Sequence, residues 1–103
     1  MKLFTIDTIP GQAFEALNTV KGTVVYSKNF GRDFMAGMKT LVGGEITSYT
    51  EMLNEARQIA TKRMVDAAGA LGADAVVGLR YASSSVMQGA AEVIAYGTAV
   101  KFC

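Results

Sequence analysis

Ser48-Tyr49-Thr50-Glu51-Met52-Leu53-Asn54-Glu55-Ala56-Arg57-Gln58-Ile59-Ala60-Thr61-Lys62-Arg63-Met64-Val65-Asp66-Ala67-Ala68-Gly69-Ala70-Leu71 is the stretch whose reading decides the fold. Tyr49, Met52, Leu53, Ala56, Ile59, Ala60, Met64, Ala67, Ala68 and Leu71 recur at steps of three and four, the spacing that puts side chains on one face of an α-helix. Glu55, Gln58, Lys62 and Asp66 fall on the opposite face. Ser48 followed by Glu51 has the pattern of a capping box, in which each side chain takes up a free amide at the helix start. Gly72 follows the last apolar position and can adopt the left-handed backbone that ends a helix. The spacing therefore predicts one long amphipathic helix, Ser48 to Leu71. Burying Leu53, Ile59 and Leu71 should stabilise the fold by roughly 1.5–3 kcal/mol each, so a charge at Leu53 is expected to unfold the domain.

Outward from the helix, the pattern turns to strands and turns. Pro10-Gly11 is a turn signal after a short β-like segment, Leu3 to Thr8. Thr19 to Ser27 reads as a strand with Val20, Val24 and Tyr26 on one face and Thr23 and Val25 on the other; Gly22 marks either a bulge or a close backbone approach. Arg32 to Val42 has helical spacing in Phe34, Met35, Met38, Leu41 and Val42, is weakened by Gly37, and is ended by Gly43-Gly44, so it is expected to be a short helix. Ala75 to Ala82 reads as a strand reached directly from the long helix. Ala82 to Ala90, with three consecutive serines, reads as a loop. Glu92 to Phe102 is the last strand. Val93, Ala95, Gly97 and Ala99 put small groups on one side, where a helix can pack close; Ile94, Tyr96, Val100 and Phe102 put large groups on the other.

These elements define a single α+β domain over residues 1–103, in two layers. The strands at Thr19 and Ala75 should run the same way and the final strand against both. With the final strand central, the sheet is small and antiparallel, packed on the long helix plus the short one. The long helix covers one sheet face. The other carries the ladder Ile94, Tyr96, Val100 and Phe102, which either meets another subunit or lies under the short helix. Half of the 103 residues are hydrophobic, which favours the interface.

Charge and composition exclude several functions. Ten Lys plus Arg balance nine Asp plus Glu, a net charge of +1, which disfavours binding nucleic acid through its phosphates. Arg57, Lys62 and Arg63 are interspersed with Glu51, Glu55 and Asp66, the pattern of a solvated helix face. The N-terminal stretch lacks the apolar run of a secretory signal, and no run approaches the roughly 18 apolar residues of a membrane helix. No membrane partner is expected. Cys103 is the one cysteine, which agrees with a reducing cytoplasm.

The chain has no histidine, which removes His-based triads and His-based metal sites. Met35, Met38, Met52 and Met64 lie on apolar helix stripes and read as packing groups rather than soft-metal ligands. No cofactor is expected, a soft metal ion being the only alternative. Gly43-Gly44-Glu45 before a helix start resembles an anion site but lacks the Lys-Ser/Thr of a P-loop. Arg32-Asp33 suits a helix start, and Asp74 a turn. Arg80, in a strand, calls for a partner, with Glu92 within reach across a hairpin. The candidate ligand-binding residues are Arg32, Asp33, Gly43, Gly44, Tyr49 and Asp74; the candidate interface residues are Ile94, Tyr96, Val100 and Phe102.

Arg32-Asp33-Phe34-Met35-Ala36-Gly37-Met38, then Leu41-Val42-Gly43-Gly44 and Tyr49, resembles the first block of the YbjQ-like proteins, a family labelled "putative heavy-metal-binding". Leu71-Gly72-Ala73-Asp74-Ala75-Val76-Val77-Gly78 and Gly97-Thr98-Ala99-Val100 resemble its later blocks, in the same order. The resemblance implies a dodecin-like strand–helix–strand–strand subunit in a ring-shaped homopentamer, and it implies no established activity. The chain departs from the family around Glu45–Ser48 and Ser83–Gly89. Two functional readings follow. One is a non-catalytic oligomeric binding or scaffold protein that holds a small ligand or metal ion between subunits. The alternative is an enzyme with an inter-subunit site drawn from Asp33, Glu45, Tyr49, Asp74 and Arg80.

Overall fold

The computed structural model describes residues 1–27, 41–42, 45–87 and 90–103, with the backbone alone for residues 27, 41–42 and 45–49. Its elements in chain order are β1 (Lys2–Leu3), β2 (Phe14–Ser27), β3 (Leu41–Val42), β4 (Glu45–Ile46), α1 (Thr47–Ala70), β5 (Ala75–Met87) and β6 (Ala90–Phe102). The main sheet has the order β1-β5-β6-β2. As the sequence predicted, the last strand is central, antiparallel to both β2 and β5. The sheet is nonetheless mixed, because β1 adds to β5 in parallel at Ala75 and Val76. The short helix expected over Arg32–Val42 lies outside the described residues up to position 40. Its last two residues are not helical: Leu41–Val42 pairs antiparallel with Glu45–Ile46 in a separate two-stranded ribbon.

The long helix is displaced by one residue from its predicted span. It begins at Thr47, one residue before the predicted start, and the Ser48 side chain that was expected to cap it lies outside those described. Its end follows the prediction. Gly72 has φ +79°, the Ala73 amide donates to the Ala68 carbonyl at 3.1 Å, and the Gly72 amide to the Gly69 carbonyl at 3.0 Å. This is the double bond of a Schellman motif, and Ala73 packs against the core cluster containing Ala68, the contact that accompanies such an end.

The helix buries Met52, Ala56, Ala60, Met64 and Ala68, every fourth residue, each 4 % exposed or less. Leu53 and Ile59 are only half-buried, and Leu71, just beyond the helix, is 46 % exposed. The predicted stripe was too wide because alanine sets the contact. Where three of five buried groups are methyls, the helix backbone comes down onto the sheet, and the larger side chains beside the contact line remain at its margin. Gly22 is the sheet's half of this arrangement. A Cβ there would collide with the Ala60 carbonyl oxygen and the Met64 amide, so the close backbone approach is the correct reading of Gly22. On β6, Val93, Ala95, Gly97 and Ala99 are buried on this face, as predicted.

A second, smaller cluster lies on the opposite face. Ala75, Val77 and Val100 are 0–5 % exposed, with Phe4, Ile9 and Phe14 packed against them. The cover is the N-terminal segment, folded back through a turn at Pro10-Gly11 that the Gln12 amide closes onto the Ile9 carbonyl at 3.1 Å. Val100 is therefore not part of an open ladder; its own chain covers it.

The three long strands are longer than predicted, while the first, expected over Leu3–Thr8, is confined to Lys2–Leu3. β2 begins at Phe14 rather than Thr19, with a register shift between Ala16 and Asn18. β5 runs to Met87, through the serines read as a loop. Every residue from Arg80 to Met87 is exposed. A strand with neither face buried carries no alternating apolar signal, and that is why sequence periodicity missed it.

Candidate functional site

The surface left open by this fold is the distal half of the sheet, beyond the N-terminal cover. Cross-strand pairs place side chains on shared faces, so register gives its rows directly. On the face away from α1, Tyr96 sits between Lys21 of β2 and Arg80 of β5; Ile94 sits between Thr23 and Ala82; Glu92 sits between Val25 and Ser84. Val25 is 57 % exposed, Tyr96 44 % and Phe102 37 %, while Ile94 is half-buried. The predicted ladder thus divides. Val100 is covered, Phe102 stands opposite Phe14 at the covered end, and Tyr96 and Ile94 open outward among mixed neighbours. The face is amphipathic, with an aromatic ring between two cations.

Arg80 does not pair with Glu92. The register shift between Val77 and Arg80 puts Arg80 opposite Tyr96 and leaves Glu92 opposite Ser84. Its guanidinium instead donates through Nη1 to the Thr5 carbonyl at 2.8 Å and to the Leu79 carbonyl at 2.9 Å, tying the N-terminal segment to the edge of β5. Asp74 has a similar structural task. Its Oδ2 accepts from the Phe102 amide at 2.7 Å and lies 3.7 Å from Lys101 Nζ, which joins the helix-to-strand turn to the end of β6. Two members of the alternative enzyme reading are thereby engaged in holding the fold. Arg32, Asp33, Gly43 and Gly44 lie outside the described residues, as do the side chains of Glu45 and Tyr49.

Among the described residues, two grooves flank α1. An apolar one of about 310 Å³ lies against β2 between Val24, Val25, Tyr26, Met52, Glu55, Ala56 and Ile59. A polar one of about 600 Å³ lies toward β5, lined by Asn54, Arg57, Gln58, Thr61, Lys62 and Tyr81. In the second, the Thr61 and Tyr81 hydroxyls are 2.7 Å apart and Arg57 Nη2 donates to Asn54 Oδ1 at 2.6 Å. Lys62 is taken up by Asp66 at 2.9 Å, an exposed i, i+4 pair. The polar groups of this groove largely satisfy one another. Sequence reading placed Tyr81 in a strand but passed over it, because its hydroxyl partner Thr61 comes from an element distant in sequence.

Among the described residues no three His, Cys, Asp or Glu side chains converge as metal ligands. No helix among them is long and apolar enough to cross a membrane.

The fold and this surface define a two-layer α+β domain whose described polar groups mostly serve the fold. The chain matches the family described as "Putative heavy-metal-binding" over residues 1–103, and it belongs to that YbjQ-like family. It is 60% identical over 101 residues to a UPF0145 protein of Clostridium novyi, covering 98% of each chain. It is 55% identical over 98 residues to a UPF0145 protein of Thermus thermophilus, covering 94% of this chain and 86% of the relative. A solved structure of a DUF74-family protein of unknown function from Pediococcus pentosaceus superposes with a TM-score of 0.71, at 19% identity, over 100% of this chain and 98% of that one. That likeness supports the fold.

The family's description can be tested against the donors present. Heavy metals of soft character take thiolate, thioether and imidazole ligands. This chain has no histidine, and Cys103 is its single cysteine, exposed. One chain therefore offers a soft metal a single thiolate and no imidazole, with the thioethers of its six methionines as the remaining soft donors.

Proposed function

We propose that the protein is a non-catalytic subunit of a homo-oligomer, a ring of five by its family resemblance, which serves as a scaffold or holds a small ligand between subunits. The observation that carries this reading is the distal half of the sheet, where Val25, Tyr96 and Met87 are 44–67 % exposed on long strands. A contiguous half-apolar sheet face on a chain of this size fits an interface between copies. A cytoplasmic setting fits a chain whose one cysteine excludes an internal disulfide.

Native mass spectrometry of tag-free protein at micromolar concentration tests the reading. A mass that is a multiple of five subunits is expected, and Tyr96→Glu should weaken the assembly while the chain stays folded. A monomeric wild type at that concentration sinks the proposal. Titration with copper or zinc should give no stoichiometric binding to a single chain; one tightly bound ion per monomer would contradict the account of its donors.

A further inference from the structure

The two outer edges of the sheet are treated differently by the fold. The edge of β5 is closed as far as Leu79. Phe4 donates to the Val76 carbonyl at 2.8 Å, Gly78 to the Ile6 carbonyl at 2.9 Å, and Leu79 to the Phe4 carbonyl at 2.9 Å. Beyond Arg80 that edge has no neighbour among the described residues, because β1 pairs only at Ala75 and Val76. The edge of β2 carries guards. Arg63 of α1 reaches round to donate to the Thr23 carbonyl at 2.6 Å, and Lys21 stands two residues away. Natural proteins commonly protect edges with charge, proline or a covering group. Tyr81-Ala82-Ser83-Ser84-Ser85-Val86-Met87 has neither a charge nor a proline.

Which backbone groups face outward follows from the ladder. The Thr23 carbonyl is taken by a side chain from outside the sheet, so Thr23 turns its polar groups to the free edge of β2. Its partner Ile94 then turns toward β5, where it meets Ala82. Ala82 faces inward, and Tyr81, Ser83 and Ser85 present their amides and carbonyls to the open side.

From this we infer that the outer edge of β5 from Tyr81 to Met87 docks against the same edge of a second copy, antiparallel about a twofold axis at Ser83. In that register Ser83 faces Ser83 of the partner subunit and Tyr81 faces Ser85 of the partner subunit. The outward groups then form about six backbone hydrogen bonds. Ala82 meets Ser84 of the partner subunit, and Arg80 falls opposite the irregular stretch after Ser85 of the partner subunit, which carries no charge, so no like charges are opposed. The charged guard on β2, with none along Tyr81–Ser85 among the described residues, favours the self-paired edge over a head-to-tail contact of β5 with β2. This contact is separate from the ring: where its twofold axes cross the fivefold axis at right angles, a ring of five carrying it becomes a pair of rings, with an even number of subunits.

Native mass spectrometry of wild type, Ser83→Pro, Ser83→Lys and Ser83→Ala separates the two ideas. Proline removes one outward amide and leaves the ladder to β6 intact; lysine keeps the amide and opposes two charges on the axis. We expect an even-numbered wild-type assembly, halved in mass by either the proline or the lysine variant and unchanged by the alanine variant, with all three variants retaining the wild-type circular dichroism spectrum. An odd-numbered wild-type assembly, or an unchanged mass in the lysine variant, overturns the edge contact while leaving the ring intact. An even assembly that is not a multiple of five, halved by lysine, supports the edge contact and overturns the ring. A monomeric wild type overturns both.

Discussion

The two halves of strand β5 pair with the same neighbour and differ in everything else. From Ala75 to Leu79 the strand is buried but for Gly78, under α1 on one side and Phe4, Ile9 and Phe14 on the other. From Arg80 to Met87 every residue is exposed. The first half is held by burial and the second by its hydrogen-bond ladder to β6, with side-chain bonds from Arg80 and Tyr81 at its start. Since hydrophobic burial is the main favourable term in folding, stability is concentrated in the first half, and the second is free to be used for contact.

Substitutions along this divide should have sharply unequal effects. Val76→Asp places a charge at a position with no exposure and no partner, and the domain should lose its cooperative thermal transition. Met64→Ala empties a fully buried site and should cost about 2–5 kcal/mol in chemical denaturation. Gly72→Ala keeps its surroundings clear but forces a side chain onto a φ of +79°, so about 1–2 kcal/mol is expected in the same measurement. Ser84→Thr, on the exposed half, should move the stability of the isolated subunit by no more than about 0.5 kcal/mol. A large loss there would erase the contrast between the halves.

Much of the first half was legible in the sequence. The α1 periodicity, the small face of β6 and the central position of β6 follow from residue spacing as responses to burial on one side, and the Gly72 stop follows from the left-handed backbone that glycine alone adopts freely. Legibility failed where burial takes another form. Leu71 read as core and is 46 % exposed, since a contact line set by Ala56, Ala60 and Ala68 is narrower than the helix's apolar stripe. A charge at Leu53, half-buried in the structure, is accordingly expected to destabilise rather than abolish the fold. Val100 read as open and is covered, because the cover comes from a segment distant in sequence. Ser83-Ser84-Ser85 read as loop and is strand, though the absence of Gly, Pro, Asn and Asp between Leu79 and Met87 was an available signal against a turn. Of the candidate ligand residues, Asp74 serves the fold, and the others lie outside the described side chains.

Amide hydrogen exchange along β5 tests the central claim most directly. Ala82 and Ser84 face β6 and should be protected whenever the subunit is folded. Tyr81, Ser83 and Ser85 face outward and should be protected at concentrations where the assembly is intact, then lose that protection on dilution to free subunits. Fast exchange at Tyr81, Ser83 and Ser85 in the intact assembly would show that the exposed half of the strand is not where the copies meet.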